Sequence, residues 1–133
     1  MSAAVLQRVL AAIERIAPSS FASSWDNTGL LLRPPFVRSS SSATPRLLLT
    51  IDLTPSVLAE AVNDPRIIAI MAYHPLIFQP IKRLDAELEW KDKVLMECVQ
   101  HGIAIYSPHT ALDSCKGGGL FLDLYAFDMV YSK

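Results

Sequence analysis

The sequence predicts an α/β fold: a parallel-rich sheet of β-α-β units flanked by helices. Three observations carry that prediction. Short, almost wholly apolar runs recur at residues 47–51, 67–72 and 103–106, as strands covered on both faces require. A segment with helical spacing separates each consecutive pair. Right-handed crossovers then make the flanking strands parallel neighbours.

The elements follow in order. Val5, Leu6, Val9, Leu10, Ile13 and Ile16 repeat at helical spacing, and Pro18 stops the helix they define. Arg8 and Arg15 would also suit a transit peptide, but Glu14 and the clean period favour an integral first helix. Residues 19–24 form a Ser-rich loop, Trp25-Asp26-Asn27-Thr28-Gly29 a turn, and Leu30, Leu31 and Leu32 a short strand ended by Arg33-Pro34-Pro35. The Ser/Thr/Pro run at residues 39–45 is a flexible, exposed connection.

After the strand at 47–51, Thr54 stands as N-cap and Pro55 as first residue of a helix that buries Val57, Leu58, Ala61 and Val62 and ends at Asn63-Asp64-Pro65. Residues 76–81, with Pro80 inside and Pro75 just before, read as an irregular, lid-like stretch. Residues 87–100 read as a helix with Trp90, Val94, Leu95, Cys98 and Val99 along one side, closed by His101 and a left-handed Gly102.

Bulk composition bounds the function. A chain of 133 residues with 51% hydrophobic content suits one domain with a sizeable core. Twelve Lys and Arg against 13 Asp and Glu, with no basic stripe, argue against direct nucleic-acid binding. Charged residues and prolines interrupt every apolar run, so no membrane span is expected. Cys98 and Cys115 have neither zinc-ribbon spacing nor the density of a disulfide scaffold, so a reducing, cytoplasmic compartment is the default, with mitochondrion and nucleus as alternatives.

Two strands end in a histidine beside a proline, His74-Pro75 and Pro108-His109, and both histidines fall past carboxyl ends, the edge where parallel sheets bind ligands. His109 and Asp113 are four apart, so one helical turn would put imidazole and carboxylate on one face, within reach of a cation shared with His74. Nitrogen plus carboxylate ligation suits zinc, manganese, iron or nickel without separating them. The competing reading has the histidines capping backbone groups and Asp113 merely orienting His109; from spacing alone it stands ahead, because three donors leave a metal shell incomplete.

Other polar residues receive structural readings. His101 suits a helix C-terminus. Asp26 and Asn27 suit turn chemistry, and Asp52, just past a strand, is ambiguous between the two roles. Gly117, Gly118 and Gly119 lack the phosphate-loop pattern, and Cys115 has no neighbouring base. No catalytic residue and no organic cofactor site is assigned.

Five segments, Phe21-Ala22-Ser23-Ser24-Trp25-Asp26-Asn27-Thr28-Gly29-Leu30, Thr50-Ile51-Asp52-Leu53-Thr54, Ala72-Tyr73-His74-Pro75-Leu76-Ile77-Phe78, Pro80-Ile81-Lys82-Arg83-Leu84 and Gly102-Ile103-Ala104-Ile105-Tyr106-Ser107-Pro108-His109-Thr110-Ala111-Leu112-Asp113, together resemble the amino-terminal part of the Nif-three-like proteins, whose bacterial members are often labelled GTP cyclohydrolase type 2. The resemblance implies a dinuclear metal site, a toroidal oligomer, commonly a hexamer, and a hydrolase-type activity. It places metal ligands at His74, His109 and Asp113, and Tyr73 where many bacterial relatives carry a second histidine. Family members continue past this region with a second half that brings a further His and Glu to the metals. Residues 117–133 diverge from that pattern, so the chain reads as a domain at 1–116 with a divergent tail, a truncated form impaired in turnover. The alternative is a non-catalytic interaction protein that docks a transcriptional partner.

Overall fold

A computed structural model describes residues 2–39 and 44–115; the expected tail at 117–133, the Gly117 to Gly119 run and most of the 39–45 connection lie outside them. The elements are α1 (Ser2–Ile16), β1 (Gly29–Leu32), β2 (Arg46–Thr50), α2 (Pro55–Asn63), β3 (Ile67–Ala72), α3 (Trp90–His101), β4 (Ala104–Ser107) and α4 (His109–Ser114). They build one sheet in the order β1-β4-β3-β2. As the crossover argument requires, β2 and β3 are parallel, and so are β3 and β4. β1 lies antiparallel on the edge beside β4, a pairing that nothing local in the sequence announces.

Every residue of β3 and β4 is buried, which is why these central strands read as unbroken apolar runs. Alternate side chains serve two layers. Ile70 and Ile105 pack with Leu58, Ala61, Val94, Leu95 and Cys98 of α2 and α3. Met71 and Tyr106 pack on the other face with Ile13, Ala17 and Leu112, and Ala69 and Ala104 with Leu6. The first helix is therefore part of the core, with Leu6 fully buried and Ile13 nearly so.

Local chemistry sets the element ends. Thr54 Oγ1 accepts from Val57 N at 3.3 Å and Pro55 occupies the first turn, the capping pattern expected for α2. Gly102 ends α3 at φ 66°, and its position is doubly restricted: a Cβ there would lie 2.6 Å from the Phe36 ring and 2.7 Å from Arg38 N. The Arg38 guanidinium, in turn, donates to the carbonyls of Ala61, Val62, Asp64 and Ile67, closing the end of α2 and the entry to β3.

Three sequence expectations need correction. α3 begins at Trp90 rather than at residue 87, because Asp85 Oδ1 accepts from Glu87 N and Leu88 N at 3.0 and 3.1 Å and holds those residues in a separate turn. Trp90, expected on the buried side, is 48% exposed at the new first turn. Strands β2 and β4 are displaced by one residue from their expected bounds.

Candidate metal centre

Both histidines lie where the sheet ends, and strand register decides what each one meets. The parallel β2/β3 pair matches Thr50 with Ala72, and the ladder continues through Tyr73 N to Thr50 O at 2.9 Å and His74 N to Ile51 O at 3.0 Å. Two residues beyond the last pair, Asp52 stands beside His74, and its Oδ1 lies 2.7 Å from His74 Nδ1. This couple faces solvent, with side chains 50% and 63% exposed.

The second couple is built across the antiparallel edge. Gly29 pairs with Ser107, and running that register three residues outward brings Asp26 opposite Thr110. Asp26 Oδ1 lies 2.9 Å from His109 Nδ1 and accepts from Asn27 N at 2.8 Å; Oδ2 accepts from Thr110 N at 3.1 Å and from the Thr110 hydroxyl. The Asp26 side chain is fully buried and that of His109 is 19% exposed. Burial alone would raise the Asp26 pKa, but the Thr110 hydroxyl, the His109 ring and the two N–H donors hold it below its ordinary value. Ser23 N donates to Thr110 Oγ1 at 3.0 Å and Asn27 Nδ2 to Ile77 O at 2.7 Å, so the loop before β1 is tied both to α4 and to the segment after β3.

His109 itself opens α4 at φ 30°, the single described non-glycine residue in the left-handed region. Such strain persists only where the surroundings over-determine it, and the Asp26 clamp on its ring and on the next residue does so here.

The two imidazole centroids are 5.7 Å apart at 74°. An ionised carboxylate only accepts, so Asp52 and Asp26 each fix the proton on Nδ1 and leave the Nε2 lone pair of a neutral ring outward. That carboxylate-histidine arrangement is the one metal-ligating histidines adopt. No described residue hydrogen-bonds to either Nε2. Asp26, Asp52 and Asp113 add negative charge around the rings, which suits a cation.

Tyr73 completes a triangle with the two rings, 4.9 Å from His74 and 5.4 Å from His109 by centroid. Its hydroxyl donates to Asp113 Oδ1 at 2.7 Å. Burial, reinforced by Asp113 and Asp26, pushes the phenol up to about 12. Trp25 stands edge-on to His109 at 6.2 Å and to Phe78 at 6.3 Å, and both apolar rings are substantially exposed.

These positions revise the sequence reading in part. His109 to Ser114 is helical, as the His-Thr-Ala-Leu-Asp spacing requires, and His74 and His109 are neighbours. Asp113 is not the group that orients His109; Asp26 is. Asp113 is engaged by Tyr73 instead, and no three His, Cys, Asp or Glu side chains among the described residues are grouped so as to hold a metal ion. The chemistry of the donors thus fits a divalent transition metal, while the assembled trio is absent from the described residues. Asp26, read as turn chemistry, and Asp52, left ambiguous, prove to be the partners of the two imidazoles. The signal for Asp52 was its place just past a parallel neighbour; for Asp26 there was none, because its partner lies 83 residues away.

The remaining candidates stay structural. His101 is the exposed last residue of α3. Cys115 is buried and donates to Leu112 O at 3.0 Å, and burial pushes the Cys98 thiol up to about 12.

The comparisons with known proteins converge. The sequence profile of the family described as Duf34/NIF3 (NGG1p interacting factor 3) matches residues 4–122. The "Protein NIF3 homolog" of Schizosaccharomyces pombe is 43% identical over 106 residues, 80% of this chain and 37% of that protein. "NGG1-interacting factor 3" of Saccharomyces cerevisiae is 39% identical over 119 residues, 86% of this chain and 41% of that one. Among solved structures, the Bacillus cereus protein related to NIF3 superposes with a TM-score of 0.70 at 29% identity, over 84% of this chain and 29% of its own. Reduced HcgD from Methanocaldococcus jannaschii gives 0.65 at 30% identity, over 84% and 42%. The chain spans well under half the length of these relatives. Among the described residues no helix is long and apolar enough to cross a membrane.

Proposed function

The chain belongs to the Duf34/NIF3 family, and from that premise we propose that its sheet end is a divalent-metal site, with His74 and His109 as nitrogen ligands and Asp113 as the oxygen ligand. One observation carries the reading: two adjacent imidazoles, each with Nδ1 tied to its own carboxylate, a pairing that costs two desolvated or ordered acids and that metal-binding histidines need. Zinc, manganese, iron or nickel all suit this donor set. A metal held here supplies Lewis-acid polarisation of a substrate oxygen and activation of water, so the reaction class is hydrolysis. The chain's own part is to hold the two rings in one tautomer and to present Asp113.

Three donors leave a dinuclear shell incomplete, so this chain alone binds metal more weakly than a full set would and turns substrate over poorly or not at all. The family's dinuclear count and its ring-shaped homo-oligomer belong to the same proposal. Metal analysis after dialysis tests the reading: stoichiometric zinc, manganese or iron that is lost in His74→Ala and in His109→Ala supports it, and a folded chain that takes up none of these ions removes it.

A second reading has one specific observation behind it. Trp25 and Phe78, 64% and 42% exposed, flank the site, and the S. cerevisiae relative is named for interaction with NGG1. In that reading the same edge docks a transcriptional protein without catalysis. A Trp25→Ala variant that loses a partner while keeping its metal would favour it.

A further inference from the structure

Tyr73 packs against both imidazoles and is held at its backbone and at its hydroxyl. Its N–H donates to Thr50 O at 2.9 Å and its carbonyl accepts from Ser107 Oγ at 2.9 Å, so its backbone is pinned to the ends of both neighbouring strands. Its ring packs against both histidines, 4.9 and 5.4 Å away. The hydroxyl is spent on one acceptor, Asp113 Oδ1, at 2.7 Å. A phenol held this way has little freedom to follow its partner. Asp113, exposed on the first short helix after β4, is the member free to rotate.

We infer that Tyr73 is a positioning residue that latches Asp113 in a resting place, so that a cation must break the Tyr73–Asp113 hydrogen bond to recruit the carboxylate to the His74/His109 pair. The inference rests on the metal reading above and goes one step past it, to the order in which the ligands assemble. It explains why two oriented imidazoles and a nearby carboxylate form no three-ligand group among the described residues: the carboxylate is bonded to the phenol that packs against both rings.

The latch reverses the usual sign of an outer-shell substitution. Removing a hydrogen bond that supports a ligand ordinarily weakens metal binding by about 10- to 100-fold. Removing a bond that competes with the metal strengthens it, by roughly tenfold for a phenol donating to a carboxylate.

The test is Mn²⁺ binding to the full chain, followed by the loss of free-ion paramagnetic resonance, in wild type, Tyr73→Phe, Asp113→Ala and the double variant. The expected result is tighter binding in Tyr73→Phe and no difference between Asp113→Ala and the double variant, with the metal-free melting temperature of Tyr73→Phe close to wild type. Equal or weaker binding in Tyr73→Phe overturns the latch, as does a tightening that survives without Asp113. A wild-type reading keeps the test decisive should Tyr73→Phe fold poorly: Mn²⁺ should perturb tyrosine absorption in wild type and not in Asp113→Ala, and an unperturbed spectrum at saturation overturns the latch. Mn²⁺ binding that is lost in His109→Ala but indifferent to Tyr73 sinks the latch alone. A chain that binds no Mn²⁺ sinks both it and the metal reading.

Discussion

The two imidazoles look alike in sequence, each beside a proline at a strand end, yet they are held in opposite ways. His109 is gripped by a fully buried Asp26 that also accepts from the backbone N–H of Asn27 and from the N–H and hydroxyl of Thr110. His74 meets only Asp52, at a place where both side chains are at least half exposed. The difference teaches where rigidity resides. An acceptor with four donors in a dry place cannot be removed without stranding all four, whereas an exposed pair exchanges its partner for water at small cost. His109 is the fixed pole of the site and His74 the adjustable one.

The strongest way to break this contrast is Asp26→Ala. It strands the Thr110 and Asn27 N–H groups and the Thr110 hydroxyl, and it releases a residue at φ 30° from the clamp that keeps it there. Loss of about 3 to 5 kcal/mol is expected, as for breaking one side of a buried charged network, read by denaturant unfolding of the metal-free chain. A loss under about 1 kcal/mol would mean that water replaces Asp26 freely and that the two poles do not differ.

Acid provides the next largest effect and acts through the same residue. Asp26 titrates below its ordinary value of 3.8 in the folded chain because of its hydrogen bonds, so the folded state binds the proton less readily than the unfolded one. Its contribution to stability is therefore fully present above the ordinary value and is lost as the pH falls through the folded one. In chelator, the stability of Asp26→Asn should depend less on pH than that of wild type below about pH 5, while the two share one slope near neutrality. Parallel curves throughout the acid range would contradict the assignment.

This contrast also marks what could be read from the sequence. The β-α-β order, the Thr54 and Gly102 caps, and the positions of His74, His109 and the turn leading to Asp113 were legible, because each depends on neighbours within a few residues. Asp52 was half legible: parallel strands at 47–51 and 67–72 already place residue 52 near residue 74, once the register is counted. Asp26 was not. Its role comes from the antiparallel docking of β1 on β4, a non-local pairing whose register no short motif sets, and a Trp-Asp-Asn-Thr-Gly segment is ordinary turn chemistry by composition. The delayed start of α3 was hidden for a similar reason, since Asp85 competes for the N–H groups that a helix from residue 87 would have used.

The Asn27 amide donates to Ile77 O and ties the 75–81 segment to the Asp26 loop. Asn27→Ala should cost about 1 kcal/mol, the worth of one partly buried hydrogen bond. The loss should be local: amide exchange should quicken over residues 75–81 before it quickens in β3 or β4. Uniform quickening would make the tie part of the global core and blur the line between rigid and adjustable regions.

The smallest effect on stability belongs to Asp52→Ala, and that smallness is what gives it value. The pair it breaks is exposed on both sides, so metal-free stability should change by less than about 0.5 kcal/mol, since even exposed ion pairs contribute little. Metal affinity should nevertheless fall by about tenfold, because an unrestrained His74 ring must be ordered, and its tautomer selected, at the moment of binding. Stability and affinity therefore separate at the adjustable pole and move together at the fixed one. Should Asp52→Ala leave Mn²⁺ affinity unchanged, the Asp52–His74 bond would have no part in ligand orientation, and the site's pre-organisation would rest on Asp26 alone.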